Sequence, residues 1–265
     1  MYFGFKDVTI GFRGRTVLDN VTMDIPRGKV VTIIGQNGCG KSSLLKTVSK
    51  AVVPKRGQVI YNDKPINAYG PKTIAQHIAY LAQVHTSPPD IDVRTLVSYG
   101  RYPYLRLGRR LNADDGRIID DTLRMTGLEG LAHRTLRTLS GGERQRAWIA
   151  MTVCQQPEIL ILDEPTTYLD ISYQMEVLEL VRRLNDMMGM TIVMVLHDLN
   201  MAARYSDMLY VIRDGGIYAS GTPREVICGE MLRTVFHIKA DIARDAAHDC
   251  PYFIPLNIID GTVGY

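Results

Sequence analysis

Gly35-Gln36-Asn37-Gly38-Cys39-Gly40-Lys41-Ser42 fits G-x-x-x-x-G-K-[ST] at every fixed position. Val30-Val31-Thr32-Ile33-Ile34 precedes it, an apolar, β-branched run that reads as a buried strand. Ser43-Leu44-Leu45-Lys46-Thr47-Val48 follows, with the apolar spacing of a helix. A glycine-rich surface turn with a solvated lysine would account for the spacing but not for both flanks. Strand, glycine turn and helix start together predict a phosphate cradle. The glycines let successive N–H groups turn inward toward an anion, and the helix N-terminus adds its positive end. Lys41 is expected to reach the β- and γ-phosphates, and the Ser42 hydroxyl to ligate Mg²⁺. Gly35 through Ser43 are thus candidate nucleotide-binding residues.

Working outward, the chain has 265 residues, 46% hydrophobic and 22% charged, an ordinary globular composition. That length suits one large α/β domain, or one with a smaller domain inserted. A net charge of +3 is too weak to argue for a nucleic-acid partner, and none is expected. No apolar run is long enough to span a bilayer. The start, Met1-Tyr2-Phe3-Gly4-Phe5-Lys6-Asp7, lacks the basic and apolar regions of a signal peptide. The expected location is therefore cytoplasmic. Cys39, Cys154, Cys228 and Cys250 are scattered, with no C-x-x-C pair, and read as reduced structural residues.

Residues 3–10 and 16–25 alternate apolar and polar around a turn at Gly11–Gly14, which predicts antiparallel strands outside the parallel core. Further strands are expected over 57–61 and 76–82. From residue 85 the character changes. Ser87-Pro88-Pro89 breaks the chain, and helical spacing appears at 93–97 and 114–125. Arg101 to Arg110 form a basic run with Tyr102 and Tyr104 interleaved. A helical insertion between two halves of the core is expected, over about residues 85–150. The second half reads as strand 159–162, helix 170–188, strand 191–196, helix 198–205 and strand 208–213. Short helices are expected after residue 221, and then an apolar, proline-punctuated tail at Pro251–Leu256.

Two more segments carry chemistry. Ile159-Leu160-Ile161-Leu162-Asp163-Glu164 is a buried strand with two carboxylates at its C-terminal end, where open α/β sheets place ligands. Asp163 is expected to hold Mg²⁺ and Glu164 to polarise an attacking water as general base. In Leu139-Ser140-Gly141-Gly142-Glu143-Arg144-Gln145-Arg146, Ser140 and Glu143 make a capping box for a helix ending near Cys154. The box leaves Gly141 and Gly142 unexplained, because glycine in a helical turn costs about 1 kcal/mol. Bare N–H groups at a helix start suit close approach of an anion. This predicts a second phosphate-seeking site on the same chain, and hence two copies sharing each nucleotide.

These three segments, in this order, resemble the ATP-binding-cassette ATPase family over about residues 2–236. Gly35–Ser42 resembles its Walker A, Ile159–Glu164 its Walker B, and Leu139–Gln145 its LSGGQ signature, with Glu143 in place of glutamine, a variant common in importers. Gln83 resembles the Q-loop glutamine that senses Mg²⁺ and the γ-phosphate. Thr167-Tyr168-Leu169-Asp170 resembles the D-loop. His197, closing Val193-Met194-Val195-Leu196, resembles the switch histidine. Phe12 falls where the family usually has a tyrosine stacking on adenine; phenylalanine can stack equally well but lacks the hydroxyl.

The resemblance implies an α/β P-loop NTPase (RecA-like) core with an antiparallel β subdomain, an inserted helical subdomain and, from residue 237, a C-terminal extension. It implies catalytic roles for Glu164, His197 and Gln83, and Mg²⁺ held by Ser42, Gln83 and Asp163. It implies ATP bound by the residues from Gly35 to Ser43 and by Phe12, Ser140, Gly141, Gly142 and Asp170. Partners implied are a second copy in a head-to-tail ATP sandwich, two integral-membrane permease subunits and, indirectly, an extracytoplasmic substrate-binding protein. The protein would then sit peripherally on the cytoplasmic face of the cell membrane. Gly100-Arg101-Tyr102-Pro103 is similar to a G-R-x-P run in importers of ferric siderophores, haem and cobalamin. The runs Asp163–Ile171, Leu196–Tyr205 and Gly221-Thr222-Pro223 resemble the ferric-siderophore members most. The alternatives carried beside that cargo are haem or cobalamin import, or a soluble ATPase of the same superfamily.

Overall fold

A computed structural model describes residues 1–84, 90–105 and 110–259. The Ser87-Pro88-Pro89 break and residues 106–109 of the basic run lie outside the described residues. By contact the chain forms two units, Met1–Ile66 with the described chain from Val193 onward, and Asn67–Ile192.

The first unit opens with β1 (Phe3–Phe12) and β2 (Arg15–Ile25), the expected antiparallel pair, but the turn is only Arg13-Gly14, because Gly11 and Phe12 pair with Thr16 and Arg15. Alternation, shifted in phase by irregularities between Phe5 and Val8 and between Leu18 and Val21, seats Phe3, Phe5, Val8, Ile10, Leu18, Val21, Met23 and Ile25 in the core. After Gly28 the chain enters β3 (Val30–Gly35), buried at every residue as a mostly apolar parallel strand requires, with the hydroxyl of Thr32 bonded to that of Ser206 at 2.6 Å. The glycine loop leads into α1 (Lys41–Lys46). Next come β4 (Arg56–Tyr61), antiparallel to β1, and the short β5 (Lys64–Pro65).

The second unit begins with α2 (Pro71–His77), whose first residue is proline with its φ already set for a helix. The strand expected over 76–82 is accordingly shorter. Residues 76 and 77 finish the helix, the His77 Nδ1 lies 2.8 Å from Glu158 Oε1, and β6 spans Ile78–Leu81. The expected helices follow as α3 (Val93–Ser98), α4 (Ala113–Met125) and α5 (Gly141–Cys154). They share a core of Val93, Leu96, Val97, Ile119, Leu123, Leu128, Leu136, Ala147 and Ala150. β7 (Ile159–Asp163) is fully buried and pairs in parallel with β6. α6 (Ile171–Met188) ends on Gly189 in the left-handed conformation. β8 (Thr191–Val195) carries the chain back toward the first unit.

There, α7 (Leu199–Tyr205) precedes β9 (Met208–Arg213), which pairs in parallel with β3. β10 (Gly216–Gly221) returns antiparallel to β9. The sequence reading missed β10, although Asp214-Gly215, both at positive φ, is the turn that two-residue hairpins prefer. α8 (Pro223–Val226) and α9 (Gly229–Phe236) are the expected short helices. The tail is not an irregular apolar run. β11 (Ile238–Asp245) and β12 (Cys250–Ile258) form a two-stranded antiparallel hairpin. Pro251 and Pro255 are tolerated because such a sheet has only edge strands. Among the described residues no helix is long and apolar enough to cross a membrane.

Candidate functional site

In the first unit the loop after β3 curls as its glycines allow. Gly40 takes φ 103° at the N-cap of α1, and a Cβ there would lie 2.8 Å from the Leu18 side chain, so both backbone and space demand glycine. Lys41 is only 5% exposed. Its ammonium donates to the carbonyls of Gly35 and Gln36, each at 2.8 Å, and lies 3.8 Å from Cys39 Sγ. The lysine therefore points back into its own loop. Ser42 and Ser43 occupy the first turn of α1. Phe12 ends β1 and is 48% exposed, an aromatic face open to solvent. His197 is exposed just after β8, and the next residue, Asp198, caps α7 by accepting from the Met201 amide at 2.9 Å.

In the second unit the two carboxylates end β7 as expected. Asp163 is 2% exposed and accepts from the Tyr80 hydroxyl at 3.0 Å. Burial, and then the Asp163 carboxylate, push the Tyr80 phenol well above its ordinary range, so it remains a donor. Glu164 follows at φ 55°, a left-handed conformation uncommon for a residue with a side chain. Strain of this kind persists only where neighbours over-determine the geometry. Here Oε2 of Glu164 accepts from Gln83 Nε2 at 2.6 Å and from Thr167 Oγ1 at 3.0 Å. The structure thus joins Gln83 directly to Glu164. Sequence reasoning missed Tyr80 and Thr167 as partners of the carboxylates. Tyr80 lies on the neighbouring strand, and only the strand pairing reveals it.

The capping box on α5 is formed in both directions. The Glu143 amide donates to Ser140 Oγ at 3.2 Å, and the Ser140 amide to Glu143 Oε2 at 2.8 Å. The Ser140 N–H holds the Glu143 carboxyl below its usual range. Packing adds a reason for one glycine that the sequence reading lacked. A Cβ on Gly142 would lie 2.2 Å from the Tyr173 ring, whereas one on Gly141 meets only Leu169 at an ordinary 3.5 Å. Asp170 sits at the N-cap of α6 without a side-chain bond to that helix.

Arg101, the first residue of the basic run, is buried. Its Nε donates to Asp115 Oδ1 at 3.0 Å, with side chains 6% and 8% exposed. Its NH1 donates to the Cys154 carbonyl at 3.0 Å and to Gln156 Oε1 at 3.1 Å. The guanidinium lies 4.0 Å from the centre of the Tyr104 ring. It thus satisfies the C-terminal end of α5, where a cation also meets the favourable end of the helix dipole.

Comparison with known proteins shows the family. The family model described as ABC transporter matches residues 18–167, more than half of the chain. The chain is 43% identical to the ferric enterobactin transport ATP-binding protein FepC of Escherichia coli, covering 95% of this chain and 93% of that protein. It is 45% identical to the petrobactin import ATP-binding protein FpuC of Bacillus anthracis, covering 92% and 89%. Among solved structures, a metal-chelate type ABC transporter in an inward-facing conformation matches with a TM-score of 0.84 at 25% identity, covering 97% of this chain and 98% of that one. A dimeric bacterial ABC transporter cassette, MJ0796, matches with a TM-score of 0.72 at 27% identity, covering 84% and 99%. With its glycine loop, its paired carboxylates and these relatives, the chain belongs to the ABC transporter family as an ATP-binding cassette.

Proposed function

We propose that this chain is the ATP-hydrolysing subunit of an importer that takes up a ferric siderophore. The observation that carries the chemistry is Glu164, held at positive φ by Gln83 and Thr167 just beyond a buried strand. Relatives at 43–45% identity named for ferric enterobactin and petrobactin support the cargo, against 36% for a hemin import protein of Thermobifida fusca.

In this reading Lys41 and the loop amides hold the β- and γ-phosphates, and Phe12 stacks on the base. Ser42, Gln83 and Asp163 offer hydroxyl, amide and carboxylate oxygens, a hard donor set that suits Mg²⁺. Bound there, Mg²⁺ would neutralise charge on the transferring phosphoryl group. Glu164 orients water in line with the γ-phosphorus and takes its proton, while His197 contacts the γ-phosphate. The nucleotide site is completed by Ser140, Gly141 and Gly142 of a second copy; solved cassettes described as dimeric support such a pair. ATP favours the closed pair through its γ-phosphate, and hydrolysis removes that preference. Two integral-membrane subunits convert closure into import, and a loaded binding protein triggers it. The chain would then lie on the cytoplasmic face of the membrane. We further assign residues 1–236 to the cassette, with its helical insertion at about 85–150, and the remainder to a C-terminal extension.

The test is reconstitution of the full chain with its membrane subunits in vesicles. ATP hydrolysis should accelerate when binding protein loaded with a ferric siderophore is added. Acceleration by haem- or cobalamin-loaded protein instead would reassign the cargo. Failure to co-purify with any membrane subunit would favour a soluble ATPase.

A further inference from the structure

His197 stands at the start of a turn whose far side is tied to the end of the chain. Asn200, the second residue of α7, meets Phe253 of β12 through both ends of its carboxamide. Nδ2 donates to the Phe253 carbonyl at 3.2 Å, and the Phe253 amide donates to Oδ1 at 2.9 Å. The side chain thus pairs with one strand residue as a neighbouring strand would, satisfying donor and acceptor together. Two bonds from one planar group fix rotation as well as distance, which a single bond does not.

The rest of the contact is apolar. Phe253 and Pro255 alternate onto one face of β12, and with Phe236 and Ile238 they line a cavity of about 380 Å³. Its other lining residues are His197, Asp198, Leu199 and Asn200. The hairpin β11–β12 therefore stands against the turn that carries His197, and the Asn200 clasp sets where it stands. Docking of the hairpin alone would be served by the apolar contacts. A clasp three residues from His197 also limits how that turn moves.

We propose that Asn200 and the C-terminal hairpin are positioning elements for His197, holding its turn ready for the γ-phosphate. The inference rests on the role given to His197 above. It makes the extension part of the ATPase cycle.

The experiment uses the full chain with MgATP and the variants Asn200→Ala, Asn200→Asp and His197→Ala. The aspartate keeps the acceptor for the Phe253 amide, sets a negative charge against the Phe253 carbonyl, and suits the first turn of α7. It should fold even if alanine costs the hairpin. Misplacing a catalytic group by a fraction of an ångström lowers turnover more than binding, so kcat should fall roughly 5- to 20-fold while KM for ATP changes less than about twofold. Hydrogen exchange should quicken in the peptide around residues 196–199 and stay unchanged around 36–43. Unchanged kcat in both Asn200 variants, with His197→Ala impaired, would overturn the positioning role. So would a joint loss of kcat, KM and protection at residues 36–43, which reports general loosening. Wild-type kcat in His197→Ala would instead remove the role of His197, and this proposal with it.

Discussion

Arg101 is a cation enclosed on several sides, by Asp115, the Cys154 carbonyl, Gln156 and the Tyr104 ring. Removing one partner of a buried pair strands the other charge, which costs about 3–5 kcal/mol. Arg101→Ala should therefore lower the unfolding free energy, read from urea denaturation, by that much. A loss under about 1 kcal/mol would mean the pair is effectively solvated. The sequence did not disclose this burial. Arg101 lies in a run that reads only as basic, and only the fold brings Asp115 and the end of α5 to it. The same holds for Tyr80 on Asp163 and Thr167 on Glu164. The places of Lys41 at the start of α1 and of Asp163 and Glu164 at the end of β7 were legible because each belongs to a short local pattern. That Gln83 grips Glu164 joins residues far apart in the chain, and no local pattern predicts the bond itself.

At the scale of elements, α5 separates two reasons for a glycine. Gly142 is pressed against Tyr173, whereas Gly141 has room for a methyl group. Gly142→Ala should destabilise the chain by about 1–3 kcal/mol through overpacking. Gly141→Ala should leave the melting temperature unchanged or raise it, since alanine gains up to about 1 kcal/mol in helix propensity. If Gly141 serves a phosphate of the partner's nucleotide, the same variant loses ATPase activity while keeping its stability. Full activity in Gly141→Ala would remove that assignment. The helix itself was readable from Ser140 and Glu143, because capping is local chemistry. Tyr173 belongs to the next helix, so the packing reason for Gly142 was not. β10 was within reach through Asp214-Gly215. The hairpin β11–β12 was hidden by prolines that discourage any strand reading, yet fit a sheet made only of edges.

For the whole molecule, the sequence pointed to an α/β cassette because its decisive patterns recur in order along nearly the whole chain. The likeness to relatives is as extensive, with 95% of this chain aligned to 93% of the ferric enterobactin transport protein. Cargo leaves a weaker trace, because the ATPase subunit does not touch it. The central claim is that Glu164 makes a shared, two-copy ATP site hydrolytic. Glu164→Gln tests it most directly, by nucleotide binding, solution mass and phosphate release on the same full-length preparation with MgATP. The variant keeps the shape of the side chain but removes the base. It should bind ATP as the wild type does and hold two copies together. Its phosphate release should fall by about 10²–10⁴-fold, the usual contribution of a general base. Release within a few-fold of the wild-type rate would contradict the account.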